Sequence, residues 1–105
     1  MIVKFGAPGE YVHYAATIGA IEAMTIGLSS EVADQGIRVN AVRPGLTKTT
    51  MFIVNGDKDR IARVAPTIPM LRAAEPEEVA EAIVWLLSDK ASYVTRAILD
   101  VGGGR

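Results

Sequence analysis

The sequence contains no cysteine and a single histidine, His13. The first absence excludes disulfide frameworks and thiolate zinc sites, and the second excludes a histidine-rich metal site. An excess of one charge is also missing: 11 basic residues stand against 12 acidic ones, well mixed, for a net charge of −1. No basic patch or stripe offers itself to nucleic acid. No apolar run reaches the ~20 residues of a membrane-spanning helix. The opening MIVKFGAPGE holds too short an apolar stretch for a secretion signal. These absences predict a cytoplasmic protein with neither nucleic acid nor membrane among its partners.

What the chain has is apolar surface. Half of its 105 residues are hydrophobic, and the mean hydropathy is +0.25. That is apolar for a chain long enough for one domain, and it suggests faces that await a partner.

Residues 2–5 read as the tail of a strand, and Gly6, Pro8 and Gly9 mark a loop. No proline interrupts residues 11–35, where Ala15, Ile18, Ile21 and Glu22, then Thr25, Leu28 and Val32, fall at helical spacing. One long helix is expected, closed by Gly36. Gly19 and Gly27 lie inside it, which a closely crossing helix would explain. Residues 37–42 suit a strand buried on both faces, ended by Arg43-Pro44-Gly45. Residues 46–56 read as loop and residues 57–65 as a short helix stopped by Pro66 and Pro69. Pro76 opens a helix to about Ser88, with Glu77 and Glu78 at its positive end. Val79, Ala82, Ile83 and Leu86 form its apolar stripe, widened by Trp85 and Leu87. Residues 97–101 read as a second strand, followed by Gly102, Gly103 and Gly104. Strands joined through helices are parallel, with a right-handed crossover.

Three segments together resemble the short-chain dehydrogenase/reductase family. Tyr14-Ala-Ala-Thr-Ile18-Gly-Ala20 is similar to its Y-x-A-[ST]-K-x-A helix. Ile37-Arg-Val-Asn-Ala-Val-Arg-Pro-Gly45 is similar to its strand and N-x-[IV]-x-P-G turn. Pro76-Glu-Glu-Val-Ala-Glu-Ala-Ile83, Tyr93-Val-Thr95 and Leu99-Asp-Val-Gly-Gly103 are similar to its last helix and strand. Within the family, the chain resembles sugar dehydrogenases of the glucose 1-dehydrogenase type and 3-oxoacyl reductases. The resemblance implies an α/β fold, the C-terminal part of a Rossmann-like doubly wound parallel sheet. Residues 1–105 are then a single partial domain supplying two strands with their packed helices.

The resemblance also implies a cofactor, NAD or NADP, and an alcohol or ketone substrate. In the family a tyrosine hydroxyl exchanges a proton with the substrate oxygen while hydride moves to or from the nicotinamide. Tyr14 holds that position. A free phenol has a pKa of about 10, so a nearby cation must favour its ionised form. The family places a lysine four residues on, one turn along the same face, and that lysine also binds the nicotinamide ribose. Here the position is Ile18. Pro44, Gly45, Leu46 and Thr49 match the turn that contacts the nicotinamide carboxamide, with glycine admitting a close ligand; an ordinary strand-to-loop turn is the competing reading. The family's glycine-rich phosphate turn and its catalytic serine precede the matched region, so a truncated chain that binds no cofactor alone is expected. Arg96 stands where the family usually has glycine, and a positive φ there costs on the order of 1 kcal/mol. Met51, Phe52, Ile53 and Met70 would wall the family's substrate pocket.

Two functions compete, and a complete enzyme whose other half is a separate chain is a third reading that Ile18 argues against. One is a remnant of an oxidoreductase, inactive alone. The other is a non-catalytic oligomerisation module that pairs with itself or with an intact homologue, because the family's tyrosine helix and its last helix and strand form subunit interfaces.

Overall fold

A computed structural model describes residue 9 and residues 11–105. The expected strand tail at residues 2–5 lies outside the described residues. The chain divides into two compact units: the described residues through Ala41 with Ser88–Leu99, and Val42–Leu87 with Asp100–Arg105. Among the described residues, no helix is long and apolar enough to cross a membrane.

Helix α1, Val12–Val32, dominates the first unit. The Ala15 N–H donates to the Tyr11 carbonyl at 2.8 Å to start it. A tighter turn, Ala33–Gln35, ends it, and Gly36 closes it at φ +73°, as the glycine predicts. Ala15, Thr25 and Ser29 are buried, and Ile18, Glu22 and Val32 are half-buried. These six recur every three or four residues and form one face. It is the more polar face. Thr25 and Ser29 satisfy their hydroxyls by donating back to the Ile21 and Ile26 carbonyls, both at 2.8 Å. The larger apolar side chains of Ile21, Met24, Ile26 and Leu28 are exposed. No atom comes within 4 Å of a Cβ built on Gly19 or Gly27, so no crossing helix among the described residues accounts for them.

The strand expected at residues 37–42 forms later, as β1, Ala41–Pro44. Side chains take over the hydrogen bonds of the preceding residues. The Val39 N–H donates to Thr95 Oγ1 at 3.1 Å. The Asn40 amide donates to the Val94 carbonyl and accepts from the Ala97 N–H, both at 2.9 Å. Ladder pairing starts one residue on, where the Ala41 N–H donates to the Ala97 carbonyl at 2.9 Å. The Gly45 N–H donates to the Val101 carbonyl at 2.8 Å with the same sequence separation, so β1 runs parallel to β2, Ile98–Val101.

Arg96 sits at φ +65° just before β2. Glycine adopts this conformation without a Cβ clash, so Arg96→Gly should stabilise the chain by about 1 kcal/mol. Thermal denaturation followed by circular dichroism should show a midpoint roughly 4–8 °C higher. An unchanged or lower midpoint would mean that the arginine side chain compensates for its backbone.

In the second unit, the expected loop at residues 46–56 contains one short helix, α2, Met51–Val54. A single turn is too short to show periodicity. The next helix, α3, is Arg60–Val64. Pro66 does not stop the chain's winding, which continues as a tighter turn over Ala65–Thr67. A proline in the first positions of a turn forfeits no needed donor. The stop comes at Ile68, extended at ψ 137° ahead of Pro69.

Helix α4, Pro76–Leu87, begins at its proline as expected. Leu86 is buried and Val79 and Ala82 are half-buried, whereas Ile83, Val84, Trp85 and Leu87 are exposed. Glu78 reaches back to accept the Glu75 N–H at 2.8 Å, half of a capping box. Arg72 grips the same carboxylate with two bonds of 2.7 Å. These contacts, the Arg72 bonds first and the Glu75 N–H second, hold the Glu78 carboxyl down to about 2. An unfolded glutamate titrates near about 4.3. The resulting stabilisation is therefore complete above that pH and is lost as pH falls towards about 2. Because the pair is solvated, the effect should be modest and weaker in salt. Melting temperature should decline through this window, and Glu78→Gln should flatten the decline. Parallel curves for the two proteins would place the acid sensitivity elsewhere.

Candidate functional site

Tyr14 lies in the first turn of α1, in the first unit, and the residue is 49% exposed. The Tyr11 ring stands edge-on to it at 6.2 Å between centroids. One turn further on the neighbour is Ile18, and α1 carries no lysine or arginine. Thr17 gives its hydroxyl hydrogen to the Tyr14 carbonyl at 2.7 Å, a bond internal to the helix. His13 is exposed on the same turn. Among the described residues, no three His, Asp or Glu side chains cluster in a way that could hold a metal ion.

Pro44, Gly45, Leu46 and Thr49 belong to the second unit. Pro44 ends β1, and Gly45 follows against the backbone of Gly102. A Cβ built on Gly45 would lie 2.6 Å from the Gly102 Cα. The missing side chain thus makes room for the Gly102 backbone. Leu46 is tied by its carbonyl to the Ala74 N–H at 2.9 Å. The Thr49 hydroxyl accepts the Met51 N–H at 3.2 Å at the start of α2. No cation stands at position 18, and a side chain at position 45 would meet the Gly102 backbone.

The sequence did not reveal a cleft of about 450 Å³ within the second unit. Leu46, Ile68, Met70, Arg72 and Ala74 line it together with residues 102–105. Residues 68–74 carry no periodic pattern that would have pointed to it. Of the expected pocket-wall residues, Met70 lines this cleft, whereas Met51, Phe52 and Ile53 do not. Its charged groups are already engaged. Arg72 holds Glu78, Asp100 pairs with Arg43 at 2.6 Å, and Arg105 donates to Thr67 Oγ1 at 2.8 Å.

The family model described as enoyl-(acyl carrier protein) reductase matches residues 2–105. An uncharacterized oxidoreductase of Escherichia coli, YgfF, is 59% identical over 102 residues, covering 97% of this chain and 41% of the relative. Glucose 1-dehydrogenase 2 of Bacillus subtilis is 43% identical over 93 residues, covering 89% of this chain and 36% of that enzyme. A solved short-chain dehydrogenase/reductase of Brucella melitensis, a glucose/ribitol dehydrogenase, superposes with a TM-score of 0.85 at 36% identity. That match covers 99% of this chain and 41% of the other. The chain thus spans about two fifths of the length of the relatives it matches, and its two parallel strands and helices are an incomplete part of their Rossmann-like fold. With the tyrosine helix, the Pro-Gly turn and the last helix and strand in family order, the chain belongs to the short-chain dehydrogenase/reductase family.

Proposed function

We propose that this chain is the C-terminal region of an NAD(P)-dependent oxidoreductase fold for alcohol and ketone substrates, and that alone it neither binds the cofactor nor transfers hydride. Residues 1–105 form part of one domain on this reading, in a cytoplasmic protein. Tyr14 occupies the proton-transfer position, and Pro44, Gly45, Leu46 and Thr49 occupy the carboxamide side of the cofactor site. The observation that carries the proposal is Ile18, one helical turn from Tyr14, where the chemistry calls for a cation. Calorimetric titration with NADH and with NADPH tests it. The expected result is no binding tighter than about 100 μM, weaker than about −5.5 kcal/mol. A tighter constant for either cofactor would refute it.

A second reading is favoured by α1 itself. Its buried face is small and hydroxylated, while Ile21, Met24 and Leu28 point outward at spacings of three and four residues. A helix arranged this way has its main apolar surface available for association, as in a binding module that pairs with itself or with an intact homologue.

A further inference from the structure

We infer that Asn55 is a site of spontaneous deamidation, at which the Gly56 main-chain nitrogen closes on the Asn55 carboxamide and leaves aspartate or isoaspartate in its place.

The chain has two asparagines, Asn40 and Asn55, and their surroundings differ. The Asn40 carboxamide is half-buried and held from both sides, donating to the Val94 carbonyl and accepting from the Ala97 N–H, both at 2.9 Å. The next nitrogen, that of Ala41, is committed to the Ala97 carbonyl in the sheet ladder. Asn55 is exposed at the end of α2, and among the described residues nothing hydrogen-bonds its carboxamide. Gly56 follows at φ +80°, exposed, with no atom within 4 Å of a Cβ built on it. Ring closure brings Asn55 Cγ against the next main-chain nitrogen, and glycine sets no side chain in the way.

One bond opposes the attack. The Gly56 N–H donates to the Ile53 carbonyl at 3.1 Å and must release it. Helix α2 is four residues long, far below the length at which a helix sustains itself. Its Met51, Ile53 and Val54 are exposed, the last at 82%, so opening this end uncovers little apolar surface. Phe52 alone is half-buried, with the Arg60 guanidinium 5.6 Å from its ring centre.

The deprotonated Gly56 nitrogen bonds to Asn55 Cγ, the Cγ–Nδ2 bond breaks, and ammonia leaves with the proton. Water then opens the five-membered imide. Breaking the bond from nitrogen to Cγ gives aspartate, and breaking the bond to the Asn55 main-chain carbonyl carbon gives isoaspartate. One water enters, one ammonia leaves, and nothing is oxidised or reduced. Either product sets a new carboxylate two residues before Asp57, whose own carboxylate accepts two bonds from Arg63, at 3.1 and 2.7 Å. Isoaspartate also adds a carbon to the main chain inside the turn that the Asp57 N–H closes on the Phe52 carbonyl at 2.8 Å.

The test incubates the full chain at about pH 8 and about 37 °C, in buffer and in urea, where hydroxide favours the deprotonated amide. Mass spectrometry of the peptides follows each asparagine for a gain of about one dalton, the exchange of an amino group for a hydroxyl. In buffer Asn55 should react within about tenfold of its rate in urea, and Asn40 should be slowed by about a hundredfold or more. Asn55→Gln, which would need a six-membered ring, should abolish the gain in its peptide. Protection of Asn55 as strong as that of Asn40 would overturn the inference, because the turn would then be locked. So would an Asn40 that reacts as fast in buffer as in urea, because the contrast between the two surroundings would be absent.

Discussion

At about ten micromolar the isolated chain should sediment as dimers and larger species, because its apolar burial falls well short of what an independent domain needs. The buried hydrophobic residues among those described are Ala15, Ile68, Ala73, Leu86 and Ala91, three of them alanines. Against these stand exposed Ile21, Met24 and Leu28 on α1 and Val84 and Leu87 on α4, the last at 77%. At about 25 cal/mol per Å², about 400 Å² of apolar surface left in water forgoes about 10 kcal/mol, comparable to the whole stability of a domain. The sheet adds a second drive. Among the described residues it has two strands, β1 and β2, so each has an outer edge with no strand against it. Such edges are templates for pairing with another chain, and a two-stranded sheet is marginal on its own. Sedimentation velocity with a thermal melt decides the matter. A single 11.2 kDa species that unfolds cooperatively would mean that these few buried residues suffice.

Helix positions were legible in the sequence where chain grammar is local. Gly36 ends α1 in a left-handed conformation and Pro76 opens α4, as their backbone chemistry requires. The positive φ of Arg96 was legible only through the family pattern. Leu71, at φ +58°, carried no such mark. The buried face of α1 was largely legible: of the residues at helical spacing, Ala15, Ile18, Glu22, Thr25 and Val32 are buried or half-buried, whereas Ile21 and Leu28 are exposed, because apolar residues surround the helix and blur its stripe. The onset of β1 was misplaced because β-branched residues signal extended backbone, whereas the ladder depends on where the Asn40 side chain hands over to main-chain pairing. The close approach of Gly45 to Gly102 was equally hidden, because the two lie far apart in the sequence and only the fold puts their backbones together.

On the proposed function, position 18 decides whether Tyr14 can take part in chemistry, and the comparison belongs in an otherwise complete enzyme. In a chimera, this chain's sequence replaces the matched region of Bacillus subtilis glucose 1-dehydrogenase 2, which is 43% identical to it. The chimera is compared with the same protein carrying Ile18→Lys. An ordinary phenol ionises near about pH 10, so without a cation one turn away it is a poor base near neutrality. An added ammonium at i+4 lies on the Tyr14 side of α1 and stabilises the phenolate. Circular dichroism first establishes that both chimeras fold. Ile18→Lys should raise turnover of glucose by about 10²-fold or more, the usual contribution of a positioned acid–base group. The limb of the pH–rate profile governed by the base should also move to lower pH. Equal turnover with superimposable pH profiles would contradict the account, because Tyr14 would then work, or fail to work, regardless of the residue at position 18.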